Sequence, residues 1–168
     1  MGVWLGPRAG KPDPIALYAP GDTNVFTAVE YKVAYSNGEA AAPGDYYQED
    51  YVDVAVINRY SSGQQSWIDR GGLLVCGPVD LTKYKKVSLD YTNGQLRTNA
   101  ARLYVSTSAN SYDAVRDTWI EASGASGSLE LDVSDLRGTH YVGISLLAAG
   151  YGSTRTEMYI TSITVTAD

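Results

Sequence analysis

An antiparallel all-β sandwich is the fold class this sequence predicts, and three observations predict it. The second half repeats short strand-like runs, YKKVSLDY, AARLYVSTS, GSLELDVSDL, HYVGISLLAA and MYITSITVTA, separated by Gly, Ser, Asn and Asp turns. β-Branched and aromatic runs with turn signals every 8–12 residues or so are the pattern of sandwiches. No segment carries a sustained apolar stripe at helical spacing, so about nine or ten strands and at most a turn or two of helix are expected. The 168 residues suit one core, and a chain of this size buries about 68–70% of its unfolded surface without help from disulfides or metal.

Residues 1–14 stand apart. Gly2, Gly6, Gly10, Pro7, Pro12 and Pro14 leave no room for a helix or central strand, so the segment reads as an extended arm or linker. Trp4 and Leu5 have no local apolar partner and are the candidate assembly contacts, docking on another subunit or on the domain's own surface. The sandwich domain runs from 15 to 168. IALY at 15–18 and AVEYKVAY at 28–35 read as strands, and SNGEAAAPGD with its Asn37-Gly38 and Pro43-Gly44 pairs reads as a turn.

In YVDVAVINRY, Val52, Val54 and Val56 alternate with Asp53, Ala55 and Ile57, one buried face and one mixed. Residues 65–76 read as one strand holding Trp67 and bent at Gly71-Gly72, where paired glycines fit a bulge. Val87, Leu89 and Tyr91, then Ala101, Leu103 and Val105, give two further alternating strands. The segments 79–91 and 131–147 echo each other, as related sheet-crossing connections do, but with no maintained repeat period.

A net charge of −6 with thirteen scattered basic residues argues against nucleic acid as a partner, because phosphate contacts need a clustered basic face. The densest basic group, Lys83, Lys85 and Lys86, reads as a solvated turn and strand edge. No run of about 18 apolar residues exists, so no membrane insertion is expected. The N-terminus lacks the basic and apolar regions of a secretory signal. Either a leader has been removed, or the protein works in the cytosol, or it leaves the cell inside a particle.

Catalytic equipment is sparse. One histidine, His140, and one cysteine, Cys76, cannot supply a zinc site and leave a nucleophilic triad with a single candidate base. His140 reads as a turn residue and Cys76, in LLVCG, as a buried small hydrophobe. The densest acidic cluster is Asp45, Glu49, Asp50 and Asp53 in PGDYYQEDYVD. It reads either as a solvated loop or as a structural calcium site, since hard oxygen ligands close in sequence suit that ion. No acid and base pair for glycoside hydrolysis can be picked out.

Fourteen tyrosines, three tryptophans and a single phenylalanine make the aromatic usage lopsided. Tyrosine packs an apolar ring and keeps its hydroxyl wet, which suits contact surfaces as well as half-exposed sheet faces. Tyr46, Tyr47 and Tyr51 beside the acidic cluster are the first candidate glycan-binding residues, with subunit contact or ordinary packing as the competing roles. Tyr112 and Tyr151, on loops, are the next. Trp67 and Trp119 fall in strands and read as core.

The order LYAPGDTN, a strand with GG, VDLTKYKKVSLDY, ARLYVSTS, SLELDVSDLRGTHYVGISLLA and MYITSITV resembles the jelly-roll sandwich modules of phage tail, fibre and baseplate proteins, themselves related in architecture to carbohydrate-binding modules. The resemblance spans residues 15–168. It implies a non-enzymatic structural or adhesion subunit of a tailed-phage virion, serving in a fibre, a baseplate or capsid decoration. A homo-oligomer, with a trimer favoured, would then contact other virion proteins and cell-surface glycan. The second expectation is a secreted, extracellular carbohydrate-binding module of a larger bacterial glycan-active protein. A glycoside-active enzyme comes last.

Overall fold

A computed structural model describes residues 2–3, 10–96, 100–120 and 126–168; Trp4 and Leu5, the expected assembly contacts, lie outside the described residues. Fourteen strands and no helix occur among them, more strands than the nine or ten expected because β1 to β4, β6 and β7 are pieces of only two to four residues. In chain order these are β1 (Ile15–Tyr18), β2 (Thr27–Val29), β3 (Glu39–Ala40), β4 (Gly44–Tyr47), β5 (Val52–Ile57), β6 (Arg59–Ser61) and β7 (Ser66–Ile68). They continue with β8 (Arg70–Asp80), β9 (Lys86–Gln95), β10 (Ala101–Ser106), β11 (Ala114–Trp119), β12 (Gly127–Asp132), β13 (Thr139–Ala148) and β14 (Arg155–Thr166).

Two six-stranded sheets form the sandwich. The first has the order β12-β9-β14-β5-β4, with β1 also on β14; the second has β11-β10-β13-β8-β2, with β3 also on β8. Pairing is antiparallel throughout these sheets except between β3 and β8. From β8 onward the chain largely alternates between the sheets, as a jelly roll does. β6 and β7 make a separate two-stranded hairpin.

The core is the set of inward residues. Val52, Val54 and Val56 of β5, Val87 and Leu89 of β9, and Met158 and Ile160 of β14 meet Leu103, Val105, Ile144 and Leu146 of the second sheet. In β14 the inward set shifts from Met158 and Ile160 to Ile163 and Val165. The register slips between Ile160 and Ser162, and this bulge returns the apolar residues to the core after one extra residue. Cys76 is buried as expected; burial pushes its thiol up to about 12, leaving it inert at neutral pH.

Several expectations are corrected. His140 is not a turn residue: it is buried at the start of β13, with Nδ1 3.0 Å from the Gly138 carbonyl. Residues 28–35 are not one strand; pairing stops at Val29, and beyond it only Tyr31 forms a bridge, to Ala41. The segment instead lies against the outer face of the second sheet, where Val33 fills the space above Gly71 and Tyr31 packs on Leu73, Val75 and Tyr104. The expected strand over 65–76 is broken at Asp69, between β7 and β8.

The two tryptophans are not core. Trp119 faces outward on β11 beneath the Arg102 guanidinium, 3.7 Å from the ring centroid, and meets Tyr35 edge-on at 5.1 Å. Trp67 is half-buried and packs edge-on against Tyr60 across the separate β6–β7 hairpin. Among the described residues, the outer face of the second sheet is thus partly capped by its own chain, and the outer face of the first is the open one.

Candidate functional site

On that open face, strand register assembles a row from four strands. Tyr46 of β4 stands opposite Asp53 of β5, Asp53 opposite Tyr159 of β14, and Tyr159 opposite Thr92 of β9. Neighbouring strands are about 4.8 Å apart, so the row spans roughly 14 Å. Period-2 alternation dictates it: with Val52, Val54, Met158 and Ile160 turned inward, Asp53, Arg155, Glu157 and Tyr159 must turn outward. Tyr51, just before β5, stacks on Tyr159 with ring centroids 4.6 Å apart. The Tyr46 ring folds back over Gly44, whose missing side chain makes the room: a Cβ there would lie 2.8 Å from Tyr46 Cε2.

Charges sit between the rings. Arg155 donates from Nε and Nη2 to Glu157 Oε2 at 2.6 and 2.5 Å, and Tyr159 donates its hydroxyl to Glu157 Oε1 at 3.3 Å. Asp53 Oδ2 is 3.6 Å from Arg155 Nη2, while its buried Oδ1 has no hydrogen-bond partner. Burial, and then the Glu157 carboxylate beside it, push the Asp53 carboxyl up to about 6; Arg155 pulls the other way and is outweighed. The polar surface continues across the sheet, where Ser162 donates to Asp90 at 2.9 Å and Lys86 pairs with Glu130 at 3.0 Å.

The raised carboxyl makes a prediction. A folded-state value near 6 against 3.8 when unfolded means the native protein holds its proton more tightly. The cost of ionising Asp53 is therefore absent below about pH 4, grows from 4 to 6, and is fully present above 6. Asp53→Asn should be more stable than the natural protein in urea titrations at pH 7.5, with the advantage gone at pH 4. An advantage constant over that range would mean the charge is not the cause.

Of the five tyrosines singled out in the sequence, Tyr46 and Tyr51 come to this face. Tyr47 does not: it turns to the opposite side of β4, packs against the core, and accepts hydrogen bonds from the Val25 and Phe26 amides at 2.8 and 3.1 Å. Tyr112 lies on the other sheet, its ring 4.7 Å from Tyr104 and its hydroxyl donating to Asp117 at 2.6 Å. Tyr151 is fully exposed at a loop tip. Asn58 holds that loop through the Gly152 carbonyl and the Thr154 amide.

The four carboxylates expected as calcium ligands do not converge. Asp53 engages Arg155, Asp45 neighbours Tyr47, and among the described residues no three His, Cys, Asp or Glu side chains are grouped to hold a metal ion. Arg155, Glu157 and Tyr159 are the residues the sequence reading missed. Their outward alternation in RTEMYI was legible, but nothing local shows that β14 lies beside β5.

The fold is that of a β-sandwich module. It is similar to the solved structure of the family 11 carbohydrate-binding module from Clostridium thermocellum in complex with a β-1,3-1,4-mixed-linked tetrasaccharide, with 12% identity, a TM-score of 0.53 and 91% of this chain and 95% of that one covered. It is similar too to the K1 cleaved adhesin domain of Lys-gingipain from Porphyromonas gingivalis W83, with 12% identity, a TM-score of 0.50 and coverage of 92% and 97%. No family model and no curated protein sequence matches the chain.

Proposed function

We propose that this chain is a non-catalytic carbohydrate-binding module that takes glycan on the open face of its first sheet. The row Tyr46, Asp53 and Tyr159, with Tyr51, Arg155 and Glu157 around it, carries the reading. Tyrosine faces stack on the apolar C–H faces of pyranose rings, and an arginine flanked by carboxylates offers donors and acceptors for the hydroxyls. The likeness to a carbohydrate-binding module supports this second expectation from the sequence; the virion setting implied by the resemblance gains no support from it. A module of this kind would act outside the cell, tethering a partner to polysaccharide by many weak contacts.

Tyr46 is 56% exposed, so Tyr46→Ala should leave the melting temperature unchanged. In affinity electrophoresis across a panel of soluble polysaccharides, Tyr46→Ala and Tyr159→Ala should each weaken retention about tenfold, the effect of removing a contact worth more than 1 kcal/mol. Unaltered retention of both folded variants by a polymer the natural protein binds would move the site elsewhere.

A further inference from the structure

Resting on that reading, we infer that the groove at the β4–β5 end of this face takes the carboxylate of an acidic sugar, a uronate, between Arg70 and Arg155 with Tyr46 against its ring. The groove has a volume of about 210 Å³. That is below the roughly 300 Å³ at which drug-sized sites begin, and suits one sugar ring rather than a length of chain. Short side chains and bare backbone, Ala41, Ala42, Gly44 and Ala55, make up much of its lining. Two arginines from different sheets line it too, Arg70 of β8 and Arg155 of β14, the latter already bound to Glu157.

Arg70 is the group that points to an anion. Its Nε is buried and makes no hydrogen bond. Glu39, whose charge it feels, is bound fork to fork by Arg59 instead, with Arg59 Nε donating to Glu39 Oε2 at 2.7 Å and Nη2 to Oε1. A buried donor without an acceptor is costly, and a carboxylate entering the groove would remove that cost. Arginine's planar fork matches a carboxylate in two-point geometry, whereas a neutral hydroxyl would meet only one of its donors. Arg155 lines the same groove as Tyr46 and Ala55, so the ring of the same sugar would lie against Tyr46.

Isothermal titration of the whole chain with polygalacturonate, with the same polymer after full methyl-esterification, and with neutral mixed-linkage β-glucan tests this. The expected result is binding to polygalacturonate that weakens at high salt, at least about tenfold weaker binding to the methyl ester, and a similar loss in Arg70→Met, one charge-assisted hydrogen bond's worth. The methyl ester keeps the natural protein intact, so the test stands even if Arg70→Met fails to fold. Equal binding to ester and acid, or to neutral glucan alone, overturns the uronate inference and leaves carbohydrate binding standing. Tighter binding to dextran sulfate than to polygalacturonate overturns the carboxylate assignment, and binding to none of these polymers overturns the uronate inference, while only failure across the whole polysaccharide panel overturns the reading beneath it.

Discussion

Arg155→Met should yield a protein that is much less stable at pH 8 than at pH 5. Arg155 is the only cation hydrogen-bonded to Glu157 among the described residues, and it faces Asp53 at 3.6 Å. Without it, Asp53 stands beside the buried Glu157 carboxylate with no counter-charge, which makes Asp53 harder still to ionise. Asp53 already titrates at about 6 with the arginine present, so its value must rise further in the variant. A carboxyl raised above its unfolded value costs stability as pH climbs through the window between the two values, here from about 4 to above 6.

Breaking a buried pair costs about 3–5 kcal/mol; with Arg155 a third exposed, about 3 is expected at pH 8. For a domain of this size that lowers the melting temperature by roughly 6–12 °C. Most of the loss should return by pH 5, where the pair can hold a shared proton. Thermal melts at the two pH values decide it: an equal deficit at both would trace the effect to the arginine's aliphatic stem, not its charge.

Gly72→Ala should be at least as damaging, through one added methyl group. A Cβ on Gly72 would lie 1.9 Å from the Ala41 carbonyl oxygen, 2.7 Å from that of Val29 and 2.8 Å from Pro43 Cδ. Two of these are backbone atoms that cannot swing aside. Relief requires β2 and the 39–43 segment to move off β8, breaking the bond from the Ala41 amide to the Gly71 carbonyl. Overpacking in a tight interior costs about 1–3 kcal/mol, and at least the upper figure is expected where backbone is the obstacle.

Ala41 and Ala42 also line the groove, so ligand binding should fall although Gly72 touches no ligand. Gly63→Ala, which meets nothing within 4 Å, is the control and should unfold at the same denaturant concentration as the natural protein. A normal midpoint for Gly72→Ala would show that the edge segment yields freely.

Period-2 alternation made the inner and outer faces of β5, β9 and β10 legible from the sequence, since a strand between a core and solvent admits one pattern. β-Branched and aromatic content misled at 28–35, because such residues can rest on a surface underneath a chain without a ladder beside it. Val33 and Tyr31 rest on the second sheet, with a single bridge as pairing. Tyr46 and Tyr47 were grouped for being adjacent, yet adjacent residues in a strand face opposite ways. The tryptophans misled because burial was inferred from strand propensity, while β11 is an edge strand and β7 belongs to an isolated hairpin. The site needed more than pattern. Asp53 and Glu157 are about a hundred positions apart in sequence, and only the order of strands in the finished sheet makes them neighbours.

β14 is the last strand in chain order, and it sits inside its sheet with β9 on one side and β1 and β5 on the other. On a ribosome, β5 and β9 are both made long before the strand that joins them, and each must wait with an open edge exposed to solvent. Arg155, Glu157 and Tyr159 arrive on that same strand. Closing the sheet and completing the proposed glycan face are therefore one event, so a nascent or clipped chain lacking these residues would keep only part of that face, Tyr46, Tyr51 and Asp53, and would carry two sticky edges with which to find another copy of itself.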